Sequence, residues 1–419
     1  MTTSQALDII NKGFTHSVKD PLWGNVPFTS SLKAILDTKT VEKLSRIKQT
    51  GPSYHIYPGA VHTRLNHSIG VYHLGRKLIE SIARKSEELP LTETGIYSFL
   101  AACLLHDIGH FPYAHSLKEL ALREHEEIAA SLITHDAELN AAIAAAGADP
   151  VMTAAIIDKD TLTADDETLI YRSVLSGALD PDKLDYLSRD AFFAGIPYGR
   201  QDTDFILSSI SLQGGRLAID KAAVSSLEQV LFSKYMMYKN LYWHKGVRSA
   251  TAMIKKALLT ALRDKVITYD DLYLKDDYEF LAMAESKPDY GPFRLIRDAE
   301  HGRLLERKAY APYAELNARK ALKLEDRYKL ENRMHRILKR ELAEIQNYEV
   351  IIDIPEPINF ETHIQVLEEN GEVHPIREEE IIFSQAGELF SRSLRTVSLF
   401  APAAVSDKRA ERAFKLLYE

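Results

Sequence analysis

Apolar residues recur every three to four positions through most of the chain, the spacing of helices that bury one face. Leu32, Ile35, Leu36, Val41, Leu44 and Ile47 predict one amphipathic helix over 32–47, stopped by Gly51-Pro52. Tyr54 to Tyr57 reads as a short extended piece closed by Pro58-Gly59. Two helices follow over 66–85 and 92–110, the second with Thr92 as its N-cap. Pro112 biases Phe111 towards an extended backbone, so that helix breaks there, with His106 and Asp107 in its last turns and His110 at its exit. Further helices are predicted over 124–134, 168–178, 183–194, 222–239 and 244–263, and an Ala-rich stretch over 140–146 ends in a surface turn at 147–150. The rhythm changes near Ile267. A charged amphipathic stretch predicts a long solvent-facing helix over 319–346, carrying i,i+4 pairs. β-like segments follow at 348–354, 362–367 and 379–383, with a turn at Gly371. The expected fold is mainly α, with a helical core over 1–265 and a smaller α+β lobe over 266–419.

Composition narrows the function classes. A length of 419 residues exceeds what one hydrophobic core usually serves, in keeping with two units. The formal net charge of −8 argues against a broad nucleic-acid surface, so nucleic acid is not an expected partner, although a local basic pocket is compatible with it. Cys103 is the only cysteine, which excludes an internal disulfide framework and suits a reducing cytoplasm. Met1 to Gln5 lacks a charged-then-apolar leader pattern, and no apolar run approaches the roughly 20 residues of a membrane span. A cytoplasmic protein with no membrane role is the expectation.

The candidate chemistry starts at His106-Asp107, where an apolar run delivers two adjacent polar side chains that burial would penalise unless they were paired or coordinated. His67 and Asp182 each lie at a predicted helix end, where short side chains can converge on a groove between helices. Together, His67, His106, Asp107 and Asp182 offer two imidazoles and two carboxylates, a set that suits a divalent Mn, Fe, Ni, Mg or Zn ion and leaves coordination positions for water. Asp185, beside the Asp182-Lys183 pair, is expected to fix local hydrogen bonds rather than bind metal.

An ordered series of motifs surrounds these residues. It runs through Asp20-Pro21, Ile47-Lys48-Gln49, Tyr57-Pro58-Gly59-Ala60, Arg64…His67-Ser68…Gly70-Val71 and His106-Asp107-Ile108-Gly109-His110. It continues through Asp182-Lys183…Asp185-Tyr186…Arg189-Asp190 and Tyr242…His244-Lys245. In this the chain resembles the HD-domain phosphohydrolases, and among them the deoxynucleoside triphosphate triphosphohydrolase branch. The resemblance implies an all-α HD core, assembly as dimers or tetramers, and a nucleotide substrate. It also implies that His67, His106, Asp107 and Asp182 are metal ligands, and that His110 and His125 are catalytic. Arg64, counted with the catalytic groups as well, falls with Lys183 and Lys234 on phosphate-contacting positions. Gln49, Tyr186, Asp190 and Tyr242 fall on sugar-facing ones.

Three departures accompany the resemblance. Lys118 stands where an acidic partner of the catalytic histidine is expected, with Glu119 adjacent as a replacement. Thr50 stands where an apolar residue helps exclude a 2′-hydroxyl, which implies relaxed sugar discrimination. Ser45 and Asp204 replace the arginines of a regulatory nucleotide site, where only Asp37 survives, so nucleotide activation is not expected. Two alternatives stay open beside a dNTP-cleaving enzyme: a phosphohydrolase of another nucleotide or small phosphate ester, and a non-catalytic nucleotide sensor. Residue by residue, the plain alternatives are an exposed helix histidine for His125 and a solvated lysine for Lys234.

Overall fold

A computed structural model describes residues 1–117, 119–120, 122–316, 321–358, 364–377 and 393–419; the side chains of His115 and Ser116 also fall outside the description. The helix Glu93–Leu105 is apolar on nearly every side and is surrounded by other elements, as such a segment must be. It starts at Thr92, whose hydroxyl accepts the Gly95 N–H, and stops at His106. The helix Arg64–Arg84 packs along it, burying Val71, Leu74 and Leu78. A third helix, Pro181–Ala194, crosses Arg64–Arg84. Its first turn is capped by the Asp180 carboxylate, and its end is Gly195 in the left-handed region at φ 68°. These three helices carry the centre of the larger core.

A second apolar cluster joins the helix Lys245–Arg263 to Gly291–Phe293, Arg294–Glu300 and Phe111. Beyond it, the strand Thr396–Ala401 lies between Glu306–Pro312 and Ile351–Asp353, antiparallel to both. The C-terminal half also reaches back into the first core. Gln365–Leu367 pairs in parallel with Arg216–Asp220, in the register Ile219 to Val366, and Val366 is buried there. No single described helix is long and apolar enough to cross a membrane.

Several local expectations are corrected. The predicted helix over 32–47 is broken into Ser30–Leu36, Lys39–Glu42 and a 3-10 turn Lys43–Arg46. Thr38 turns extended and sends its hydroxyl to the Ile35 carbonyl, 2.8 Å away, which ends the first piece. The apolar periodicity survives the break because Leu32, Ile35, Val41, Leu44 and Ile47 all still face the core. Tyr54 to Tyr57 is not extended; Pro52 opens a 3-10 turn over Gly51–His55 instead. The helix expected over 92–110 ends at Leu105, leaving Asp107 in the following turn. The hairpin His16–Asp20/Gly24–Phe28 and the helix Pro150–Ile157 were not foreseen. The segment expected as a strand over 379–383 lies outside the described residues.

The charged helix is shorter than predicted, Leu324–Leu338, and it is not simply a solvated face. Arg327 and Glu331, one turn apart, both point inward. Arg327 binds both oxygens of Glu119, at 2.6 and 2.9 Å, and Lys255 donates to Glu119 at 2.6 Å. Glu331 pairs with Lys256 and accepts the Ile352 N–H. Burial alone would raise the Glu119 carboxyl, but the bonds and charges of Arg327 and Lys255 hold it down to about 2, against an ordinary 4.5. A depressed carboxyl stabilises the fold fully above its unfolded value and loses that contribution as pH falls towards its folded one. Glu119→Gln should therefore cost roughly 3–5 kcal/mol at neutral pH. It should also flatten the loss of stability between about pH 4.5 and pH 2. Urea unfolding of both proteins at neutral and acid pH measures this, and an unchanged pH profile would contradict the pairing.

Candidate metal centre and active-site cavity

The three central helices bring their ends together. His67 sits in the first turn of Arg64–Arg84, His106 caps Glu93–Leu105, and Asp182 lies in the first turn of Pro181–Ala194. His67 Nδ1 faces Asp185 Oδ2 at 2.8 Å, and His106 Nδ1 faces the Cys103 carbonyl at 2.9 Å. With Nδ1 of each ring committed as a donor, Nε2 is the nitrogen each ring has left for a metal, and the two lie 3.3 Å apart. Asp182 Oδ1 lies 2.9 Å from His67 Nε2 and 3.8 Å from His106 Nε2. Asp107 closes the set, with Oδ1 at 3.5 Å from His106 Nε2 and Oδ2 at 3.9 Å from His67 Nε2. Two imidazole nitrogens and two carboxylates converging at these distances form a donor set compatible with a divalent metal, which would take the place of the proton that His67 otherwise shares with Asp182.

His67 owes its orientation to a buried ionic network. Asp185 accepts the Trp23 indole N–H at 2.5 Å and two bonds from Arg189 at 2.8 and 2.9 Å, besides the bond from His67. Arg189 in turn reaches Asp20 at 2.7 Å. Asp185 and Arg189 are fully buried, so each charge depends on the other. A side chain at Gly70 would put its Cβ 1.9 Å from Asp185 Oδ1, so glycine is required there. The expectation that Asp185 fixes hydrogen bonds agrees with this. The supporting parts played by Trp23, Arg189 and Asp20 went unread, since neither periodicity nor spacing marks a partner so distant in the chain.

The rest of the predicted site lies beside these donors. Arg64 Nη1 donates to Asp107 at 2.5 Å, while its buried Nε has no partner among the described residues. Burial and the neighbouring Arg64 charge hold the His110 imidazole well below its usual range, hence neutral, and its Nε2 lies 3.1 Å from Asp107 Oδ1. His110 and His125 stack at 3.9 Å and 16°. Gly109 permits that stacking, because a Cβ there would lie 2.0 Å from the His125 carbonyl oxygen. His125 is thus no exposed helix histidine, and its Nδ1 is 3.0 Å from Glu126. Glu119 is tied to Arg327 and Lys255 instead, and Lys118 lies outside the described residues.

Lys234 is buried, not solvated. Lys183 donates to Asp180 at 2.6 Å and to the Gly177 carbonyl at 3.0 Å. Asp190 accepts from His62 at 2.7 Å and from Tyr242 at 2.5 Å. Every residue assigned above to metal, catalysis, phosphate or sugar, Gln49 and Tyr186 included, lines one cavity of about 620 Å³. That volume suits a nucleotide-sized ligand. Two further groups were missed. His62 holds Asp190, and Lys43, buried behind the turn, donates to the Ile108 and His110 carbonyls at 3.3 and 3.2 Å. Lys43 falls in a helical apolar pattern, where a lysine reads as a solvated face.

Residues 64–187 match the family described as the HD domain, and residues 201–418 match the HD associated region, about half of the chain. The chain belongs to the HD-domain phosphohydrolase family. It is 32% identical over 225 residues to the uncharacterised protein YwfO of Bacillus subtilis, an alignment covering 54% of this chain and 50% of YwfO. It is 25% identical over 280 residues to the deoxynucleoside triphosphate triphosphohydrolase SAMHD1 homolog of Dictyostelium discoideum, covering 64% of this chain and 53% of that protein. This HD protein thus spans about half the length of the curated relatives it matches. The crystal structure of a phosphohydrolase from Bacteroides thetaiotaomicron shares the fold, with a TM-score of 0.71 at 23% identity, over 92% of this chain and 99% of that one.

In the metal-free HD protein, burial would lower His67, but its bonds to Asp182 and Asp185 hold the imidazole up at about 10. A proton must therefore leave when a metal ligates Nε2. Between about pH 6 and pH 9 the apparent affinity for manganese or zinc should rise on the order of tenfold per pH unit, with about one proton released. Titration calorimetry in buffers of different ionisation enthalpy checks this; a pH-independent affinity would contradict it.

Proposed function

We propose that the protein is a metal-dependent phosphohydrolase that cleaves nucleoside triphosphates, dNTPs among them, to the nucleoside and triphosphate. The observation that carries this reading is the convergence of His67, His106, Asp107 and Asp182 at one wall of a cavity whose other walls hold Arg64, Lys183 and Lys234. In a chain of net charge −8, cations gathered in one cavity are a local device for binding a polyanion. Arg64 is the most telling of them. One nitrogen is fastened to Asp107, and the buried Nε waits for an acceptor such as a phosphate oxygen.

A divalent ion held by His67, His106, Asp107 and Asp182 would supply positive charge to the phosphoryl group and acidify water. Arg64, with Lys183 and Lys234, offsets the charge that accumulates on the phosphate chain. His110, kept neutral, takes a proton from the attacking water. His125, stacked on His110 and paired with Glu126, gives a proton to the departing 5′-oxygen. Asp190, Tyr242, Gln49 and Tyr186 form the sugar wall. Assembly as a dimer or tetramer belongs to the same reading and rests on the family resemblance alone, while a cytoplasmic setting rests on the single cysteine.

Incubation with each dNTP and rNTP across divalent metals should release free triphosphate and nucleoside in equal amounts. His106→Ala and Asp107→Ala should each lower turnover by at least about a thousandfold, in line with the loss of charge stabilisation at the reacting centre, with helical circular dichroism retained. Inorganic phosphate as the sole released product would point to another phosphate ester as substrate. Nucleotide-dependent thermal stabilisation without any product would make the protein a sensor.

A further inference from the structure

The turn that carries Asp107 and His110 has Gly109 at its hinge. A Cβ there would lie 2.0 Å from the His125 carbonyl oxygen, so the close approach of the helix His125–His135 admits only glycine. Glycine is also the residue with the most backbone freedom, and it stands directly before a histidine whose ring must keep one aim. The turn closes itself only in part. Ile108 donates its N–H to the Leu105 carbonyl at 3.1 Å, and His110 donates to the Asp107 carbonyl at 3.0 Å. The carbonyls of Ile108 and His110, one on each side of Gly109, find their donor in another element.

That donor is Lys43. Its Nζ lies 3.3 Å from the Ile108 oxygen and 3.2 Å from the His110 oxygen, and among the described residues it has no other acceptor. Lys43 is buried and does not line the cavity, so it acts from behind the turn. Burial pushes the ammonium down to about 8; Glu279 and Asp276 hold it up, and Arg64 and Arg46 press it further down. It is therefore charged at neutral pH. A buried charge with no carboxylate in contact is costly, and a neutral donor would satisfy two carbonyls with less loss. What the ammonium adds is a pair of charge-assisted bonds from one atom, which tie the peptides on both sides of Gly109 to a common point.

The segment that carries Lys43 is itself anchored. Arg46 pairs with Asp276 at 2.6 Å, and Lys48 reaches Asp277 through its backbone N–H at 3.0 Å and its Nζ at 3.3 Å. Asp276 is the N-cap of the helix Asp277–Glu285, so residues 43–48 stand as a strut between that helix and the turn. We propose that Lys43 is a positioning residue for His110: by clamping the backbone across Gly109 it holds the imidazole at the reacting centre without touching the substrate. This rests on the phosphohydrolase reading, in which His110 takes a proton from water, and adds to it the group that aims the base.

The test measures kcat, KM and manganese affinity in the wild type, Lys43→Met, Lys43→Gln and Lys43→Arg, with dGTP and with bis(p-nitrophenyl) phosphate as substrates. In Lys43→Met kcat should fall about a hundredfold, as a misplaced catalytic group costs, while KM and the manganese Kd stay within about threefold of the wild type. Lys43→Arg again offers a charged donor to both carbonyls and should recover kcat to within about tenfold of the wild type. Lys43→Gln keeps two N–H donors without the charge and carries the test should the methionine variant not fold; its kcat should lie about tenfold below the wild type. Wild-type kcat in a folded Lys43→Met or Lys43→Gln, or a loss of substrate and manganese affinity in step with kcat, overturns the positioning role and leaves the hydrolase standing. Cleavage of the diester alone overturns the nucleotide reading, and the clamp is then judged on the diester. Hydrolysis of neither substrate by the wild type overturns both.

Discussion

The site depends on one buried ionic contact, between Asp185 and Arg189. Neither side chain reaches water, and each would be prohibitively costly alone. Their union does more than neutralise charge. It fixes the Asp185 oxygens so that one of them takes Nδ1 of His67, which decides the ring's tautomer and turns Nε2 towards Asp182, His106 and Asp107. Trp23 and Asp20 complete the network from the N-terminal hairpin, and Gly70 leaves the room it occupies. A hairpin distant in sequence thereby becomes part of the donor geometry.

The same logic, a charge held at depth by a partner from another element, recurs around the cavity. Arg64 is pinned by Asp107 and Lys183 by Asp180. On the far wall, the helix Lys245–Arg263 contributes Lys255 and Lys256, which pair with Glu119 and with Glu331 of the later helix, while Arg248 pairs with Asp353. Through these contacts the second half of the chain braces the loop that follows His110. The wall is electrostatically built and so costly to deform piecemeal, which suits a site whose donors must keep fixed positions.

Much of this was legible in the chain itself, for identifiable reasons. Helices such as Arg64–Arg84 and Glu93–Leu105 are written locally, in their apolar residues and in a threonine at the N-terminus of each. The candidate donors, which the structure does bring together, stood out because His and Asp at helix ends have few structural uses, and the ordered motifs grouped them. What escaped was set by contacts between distant segments. The break at Thr38 leaves the apolar rhythm intact and so is invisible to periodicity. Lys43, Arg327 and Glu331 look like solvated charges in sequence, yet tertiary packing buries all three. His62 carried no mark other than its place in a motif, and its partner Asp190 lies far along the chain, on the helix Pro181–Ala194.

The central claim is that four donors from three helices surround a single cation. X-ray absorption spectroscopy on the protein loaded with one equivalent of zinc or manganese tests it most directly. The account predicts two imidazole nitrogens, visible through their outer-shell scattering, together with carboxylate oxygens at about 2.0–2.2 Å. A shell of oxygen alone, without an imidazole signature, would contradict it.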